Sequence, residues 1–192
     1  EDTNNTIKKF GYSPNFKVWV KFTIHNNENK AISKILEFDN PLVTDILLYE
    51  SNKLIGKEGL LNKKVERKTI NPTFLINLDK DEIKTYYMEV FSKKTSLTLK
   101  LNLYSYDDFY SKEIFHQIIL SLFFGAMIIL ALYNLSIFFM IKDISYFYYV
   151  AYIVTLVLHH LLYVGFGGLY IFNTLLMSYI IDYAAIFVSL PV

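Results

Sequence analysis

Two hydrophobic rhythms divide the chain. From Val18 to Ile24 the residues alternate, with Val18, Val20, Phe22 and Ile24 on one side and Trp19, Lys21 and Thr23 on the other, the two-residue period of a half-buried strand. Similar strands are expected at Ile32–Phe38, Thr44–Glu50, Thr73–Leu78, Thr85–Phe91 and Leu97–Tyr104, with a weaker signal at Leu54 and Ile55. The polar run His25–Asn29, the Asp39-Asn40-Pro41 stop and Ser51-Asn52 mark turns, while Gly56 and Gly59 mark a flexible or tightly turning connection. Six or seven short strands without an amphipathic helix indicate an antiparallel β-sandwich over 1–108, its N-terminal strand open to question.

From Ile114 to Ile141 the rhythm disappears, and 28 consecutive residues carry no Asp, Glu, Lys or Arg. A helix of that length rises roughly 42 Å against a hydrocarbon core of about 30 Å. One such run also suits the buried helix of a soluble protein. Two more follow, however, with Asp182 their only charged side chain, and three in succession make a membrane domain. Helices are expected at 114–141, 145–165 and 170–192, joined to the sandwich through 109–113. Ser111 is the expected cap of the first, with Glu113 in its first turn.

Charge sharpens the division. Residues 1–113 hold 18 of the 19 Lys and Arg and 16 of the 18 Asp and Glu, as expected for one part in water and one in lipid. Basic and acidic residues are mixed along the front half, so no nucleic-acid footprint stands out. The chain has no cysteine, which excludes disulfides and thiol ligands but does not fix a compartment. It opens without an apolar leader and stops in apolar sequence, and is expected to be part of a longer protein.

Candidate chemistry is sparse. Trp19, Tyr12, Tyr49, Tyr86 and Tyr87 offer flat faces on which a sugar ring can stack, although packing within a strand explains Trp19 equally well. Arg67, the only arginine, can grip an acidic ligand in bidentate fashion or be simply solvated. Among the apolar segments, Asn134 is expected to bond between helices, and Ser121 and Gly125 form a small-xxx-small pair. Asp182 faces either a bundle interior or the outer interface; His159 and His160, about 100° apart on their helix, cannot both meet it. Glu37 and Asp39 are a weak carboxylate pair for glycoside hydrolysis. With no phosphate loop, GxSxG or HExxH, and with His25, His116, His159 and His160 lacking ligand spacing, neither enzymatic activity nor a metal or other cofactor is expected.

The run FGYSPNFKVWVKFTIHN, with Gly11, Tyr12, Ser13, Trp19, Lys21, Phe22 and Asn26, resembles the opening of the 7TMR-DISM extracellular domain type 2. LEFDNPLVTDILLY, Leu36–Tyr49, is similar to that family's Glu-Phe-Asp-Asn-Pro segment. ALYNLSIFF with Tyr133 and Asn134, then KDISYFYYVAY with Asp143, Tyr146 and Tyr149, resembles the first two helices of the companion seven-helix domain. The resemblance implies an all-β jelly-roll-like sandwich followed by an α-helical transmembrane domain, of which only the first three helices are present. It implies a bacterial receptor: a sandwich outside the inner membrane at residues 1–112, similar to carbohydrate-binding modules, and a cytoplasmic histidine kinase or diguanylate cyclase output. Lys21 stands where the family often has Arg, keeping the charge but not a bidentate contact with a ligand carboxylate. The expected partners are the bilayer, a carbohydrate or cell-envelope ligand and a second copy of the chain. The rival reading is a membrane-anchored binding or adhesion module without output.

Overall fold

The alternation in the front half places one side of each strand in a shared core. In this computed structural model, which describes residues 7–60, 69–93, 95–171, 176 and 179–180, nine strands are present among the described residues. They are β1 (Lys8–Tyr12), β2 (Val18–His25), β3 (Ile32–Phe38), β4 (Asp45–Glu50), β5 (Lys53–Glu58), β6 (Thr73–Leu78), β7 (Ile83–Phe91), β8 (Ser96–Leu99) and β9 (Leu101–Ser105). All belong to the first of two units, Glu1–Ser111.

Pairing is antiparallel and nested: β1 with β8, β2 with β7, β3 with β6 and β4 with β5. Two cross-pairings, β4 with β7 and β3 with β9, assemble one sheet in the order β2-β7-β4-β5 and another in the order β6-β3-β9. Leu36 and Phe38 of β3, Ile46 and Leu48 of β4, Phe74, Ile76 and Leu78 of β6, Tyr86, Met88 and Val90 of β7, and Leu97 and Leu99 of β8 form one buried cluster between the sheets. Each fully buried side chain of this size contributes about 1.5–3 kcal/mol relative to exposure. The opposite parity faces outward, and in β2 that means Trp19, Lys21, Thr23 and His25.

Three expectations change. β1 was not legible because KKFGY does not alternate; its pairing shifts register between Lys9 and Tyr12, where Gly11 takes φ +87°. The weak signal at Leu54 and Ile55 is a full strand, and Gly56 lies inside it, since a Cβ there would sit 2.5 Å from the Phe74 ring. Gly59 does turn the chain, at φ +121° against the Thr44 carbonyl. The expected single strand over Leu97–Tyr104 is interrupted at Lys100 and becomes β8 and β9.

Helix α1 (Tyr106–Ile141) begins directly after β9, ahead of the expected start at 114. Ser105 accepts a hydrogen bond from the Asp108 amide at 3.2 Å and donates to its carboxylate at 2.5 Å, a serine N-cap, and the charges of Asp107 and Asp108 suit the positive end of the helix dipole. Ser111 is therefore inside the helix, and the 109–113 joint is helical. Capping rather than apolarity sets the start, so the polar first turns escaped a reading based on hydrophobic runs. Phe109 is buried against Tyr104 within the sheet unit, with ring centroids 6.0 Å apart.

The second unit is Lys112–Val192. Ile141 ends α1, Lys142 takes a left-handed φ of +59°, and Asp143 caps α2 (Ile144–Tyr163) by accepting from the Ser145 amide at 2.9 Å. That bond holds the Asp143 carboxyl below its ordinary range. The two helices pair as an antiparallel hairpin, Phe138 meeting Phe147 at one end and Phe123 meeting His160 at the other. Both are long and apolar enough to cross a membrane. A four-residue helix, α3 (Gly167–Tyr170), follows, and most of the expected 170–192 segment lies outside the described residues.

Candidate functional site

The outward face of β2-β7-β4-β5 gathers residues far apart in sequence. Register on β7 decides which: Trp19 and Leu47 flank Glu89, while Lys21 and Tyr49 flank Tyr87. Trp19 and Tyr49 reach diagonally across β7 and stack, with centroids 5.9 Å apart and planes 29° from parallel. Lys21 lies over the Tyr87 ring, its Nζ 5.7 Å from the centroid. Thr23 and Thr85 share a hydrogen bond of 3.0 Å at the next position. Trp19 keeps 58 % of its surface in solvent despite the stacking, so a face of the indole stays open.

Charges on this face are mostly matched. Lys17 Nζ meets Glu89 Oε1 at 2.5 Å, and that hydrogen bond raises the lysine above its ordinary pKa. Asp45 Oδ1 is sheltered and accepts no hydrogen bond among the described residues, with Lys57 Nζ 3.9 Å away. Burial raises the Asp45 carboxyl; Glu89 adds to the rise, and Lys57 and Lys17 oppose it. Lys17 and Glu89 were not singled out from the sequence. Parity would have found them, because Lys17 shares the side of Trp19 and Lys21, and Glu89 that of Tyr87.

The other residues of the motifs hold turns. Asn26, fully buried, donates to the carbonyls of Lys30 and Asp79 and accepts from the Glu28 amide, tying two turns together. Asn40 accepts from the Leu42 amide and donates to the Ser96 carbonyl. Ser13 bonds the Lys93 carbonyl. Phe22 stacks in the core on Tyr86, which is therefore no ligand platform, and Tyr12 is exposed on β1, in a different sheet. Among the described residues, Trp19 and Lys21 carry no such backbone duty.

Glu37 and Asp39 are held differently from a catalytic pair. Glu37 is fully buried and accepts from Asn71 at 2.9 Å and Asn102 at 3.1 Å. Asp39 accepts from Asn71 at 3.2 Å and Lys100 at 2.7 Å. The cluster fastens the residues leading into β6 onto β3 and β9.

In the helical unit Asn134 donates to the Leu130 carbonyl of its own helix at 2.8 Å, and most of the third expected helix it could meet lies outside the described residues. A Cβ on Gly125 would meet nothing within 4 Å, so the described residues do not use the Ser121–Gly125 pair for close approach. His159 stacks on Tyr163 at 5.9 Å, while His160 packs on Phe123 at 5.5 Å with its Nδ1 buried and unbonded among the described residues. The structure adds a polar string that the sequence did not suggest: Tyr170 donates to Gln117 at 2.6 Å, and Gln117 to the buried Glu113 at 2.8 Å. Arg67 and Asp182 lie outside the described residues. No group of three metal-ligating side chains occurs among the described residues.

Two family models match the chain in succession: 7TMR-DISM extracellular 2 over residues 1–105 and 7TM diverse intracellular signalling over residues 116–192. Neither the curated proteins nor the solved structures gave a match. The two matches meet near the point where strands give way to long apolar helices, and the resemblance carried by the Gly11–Asn26 and Leu36–Tyr49 segments falls inside the first of them. The chain belongs to the 7TMR-DISM family of membrane receptors, its match to the family's extracellular 2 model preceding its match to the 7TM signalling model.

Proposed function

We propose that this chain is the sensory portion of a bacterial inner-membrane receptor, whose sheet unit lies on the outer side of that membrane and binds a carbohydrate on the outward face of β2-β7-β4-β5. The observation that carries the reading is the solvent-open Trp19 stacked on the half-buried Tyr49, flanked by Lys21 and Tyr87. Aromatic rings left in water on a rigid sheet are characteristic of a recognition surface, and they match the apolar face of a sugar ring while polar neighbours take its hydroxyls. The nested pairing supports reading the unit as a jelly roll, an architecture used by lectins, although fold alone does not assign function.

Ligand binding is transmitted through α1 and α2 to a cytoplasmic histidine kinase or diguanylate cyclase, and this chain binds and relays without catalysing a reaction. Transmission requires the ligand to prefer one of two receptor states, since equal affinity for both shifts nothing. The experiment is a glycan and cell-wall-fragment panel on the full chain in a detergent without a sugar headgroup, read by thermal unfolding of Trp19 fluorescence. A ligand at a hundred times its Kd adds about 2.7 kcal/mol of stability. The expected result is a rise in midpoint that Tyr49→Ala removes; a panel with no shift, or a shift indifferent to Tyr49→Ala, contradicts the proposal.

A further inference from the structure

We infer that the saccharide recognised by this face is acidic, with its ring on Trp19 and its carboxylate on Lys21, an inference that rests on the carbohydrate reading above. Among the described residues the face carries three lysines, Lys17, Lys21 and Lys57, against two carboxylates, Glu89 and Asp45. Lys17 is bound to Glu89 and Lys57 stands by Asp45, so each carboxylate has a cation. Lys21 has none among the described residues; its contact is the π face of Tyr87. Among the described residues the face therefore presents one uncompensated positive charge, held beside the open indole.

Position agrees with charge. Trp19 and Lys21 are two residues apart on one strand and point to the same side, about 6.6 Å from each other along β2. A pyranose ring over the indole with a carboxylate on its exocyclic carbon reaches toward Lys21, whose four-carbon stem closes the remaining gap. A neutral sugar would leave that ammonium without an anion. A ligand lacking a ring would leave the aromatic pair unused. Because Lys57 and Lys17 are already engaged, one carboxylate near the stacked ring is the complement, rather than a densely sulfated chain.

The test is titration of the full chain, in sugar-free detergent micelles, with a galacturonate hexamer and with neutral cellohexaose, followed by Trp19 emission. The hexamer of galacturonate is expected to bind at least tenfold more tightly, the scale of one hydrogen bond to a charged group. Lys21→Gln should remove that preference, whereas Lys30→Gln, on the β2–β3 turn and away from the face, should leave the binding of both hexamers and the preference between them unchanged. Raising salt should weaken the galacturonate complex of the native chain and not that of Lys21→Gln. Equal binding of both hexamers overturns the acidic assignment and leaves the carbohydrate reading standing. A galacturonate preference that survives Lys21→Gln also overturns it, and no binding of any sugar overturns both.

Discussion

Gly56 offers a quantitative test of how the two sheets pack. It is on β5 with its missing side chain toward the core, and a Cβ built there falls 2.5 Å from Phe74 Cδ1 and 2.7 Å from Cε1. Favourable carbon contacts lie at about 3.5–4.0 Å, so Gly56→Ala requires the ring to retreat by about 1 Å. Phe74 is buried in the central cluster and has nowhere to go without displacing its neighbours. Overpacking of this kind costs about 1–3 kcal/mol, offset by about 0.4–1 kcal/mol from the stiffer unfolded chain. A net loss of about 1–2 kcal/mol lowers the midpoint of a hundred-residue domain by about 5–15 °C. Trp19 is the only tryptophan, so its fluorescence follows this unit without interference from the helices. The cycle with Phe74→Leu supplies the control: the leucine variant alone loses buried ring area, and in its background Gly56→Ala should cost less, a coupling of about 0.5 kcal/mol or more. An unchanged midpoint for Gly56→Ala, or strict additivity in the cycle, would refute the packing described.

Other predictions follow from the polar groups. Asn71→Leu leaves oxygens of Glu37 and Asp39 without the donor they have now and should cost about 1–3 kcal/mol by the same fluorescence melt; a neutral result would show that the cluster fastens nothing. Burial raises Asp45 in the folded chain, so the stability it contributes is complete below the ordinary aspartate pKa and lost as pH rises through the folded value. Asp45→Asn should accordingly melt higher than the native chain at neutral pH and level with it near about pH 3, below the ordinary aspartate value; the reverse order contradicts the assigned cause. Ser105→Ala should destabilise the start of α1 by about 0.5–2 kcal/mol, visible as earlier amide exchange at Asp107 and Asp108, whereas Ser111→Ala should have no such effect.

How much of this was legible depends on how local each cause is. The alternation of Val18–Ile24 gave β2 and its exposed side directly, because period alone sets which residues face the core. β1 stayed hidden since its irregular pairing with β8 lies 80 or more residues away in the chain. Trp19 and Tyr49 were singled out from their chemistry, and Lys21 through the family resemblance. Their meeting on one face was not readable, because it requires the register of β7 between β2 and β4. Asn134 shows a local bond that hydrophobic patterning does not reveal: its amide donates to the carbonyl four residues back. The apolar runs announced the helices, but the cap that starts α1 lies in polar sequence beyond them.

The proposed function requires a sheet unit outside the membrane and helices that cross it. Because the chain has no cysteine, single thiols can be placed at will, Lys30→Cys on the β2–β3 turn and Lys142→Cys between α1 and α2. Labelling intact bacterial cells with a maleimide that enters the periplasm but not the cytoplasm is the most direct measurement. The predicted result is modification of the first variant in intact cells and of the second only after lysis; modification in the opposite order contradicts the account.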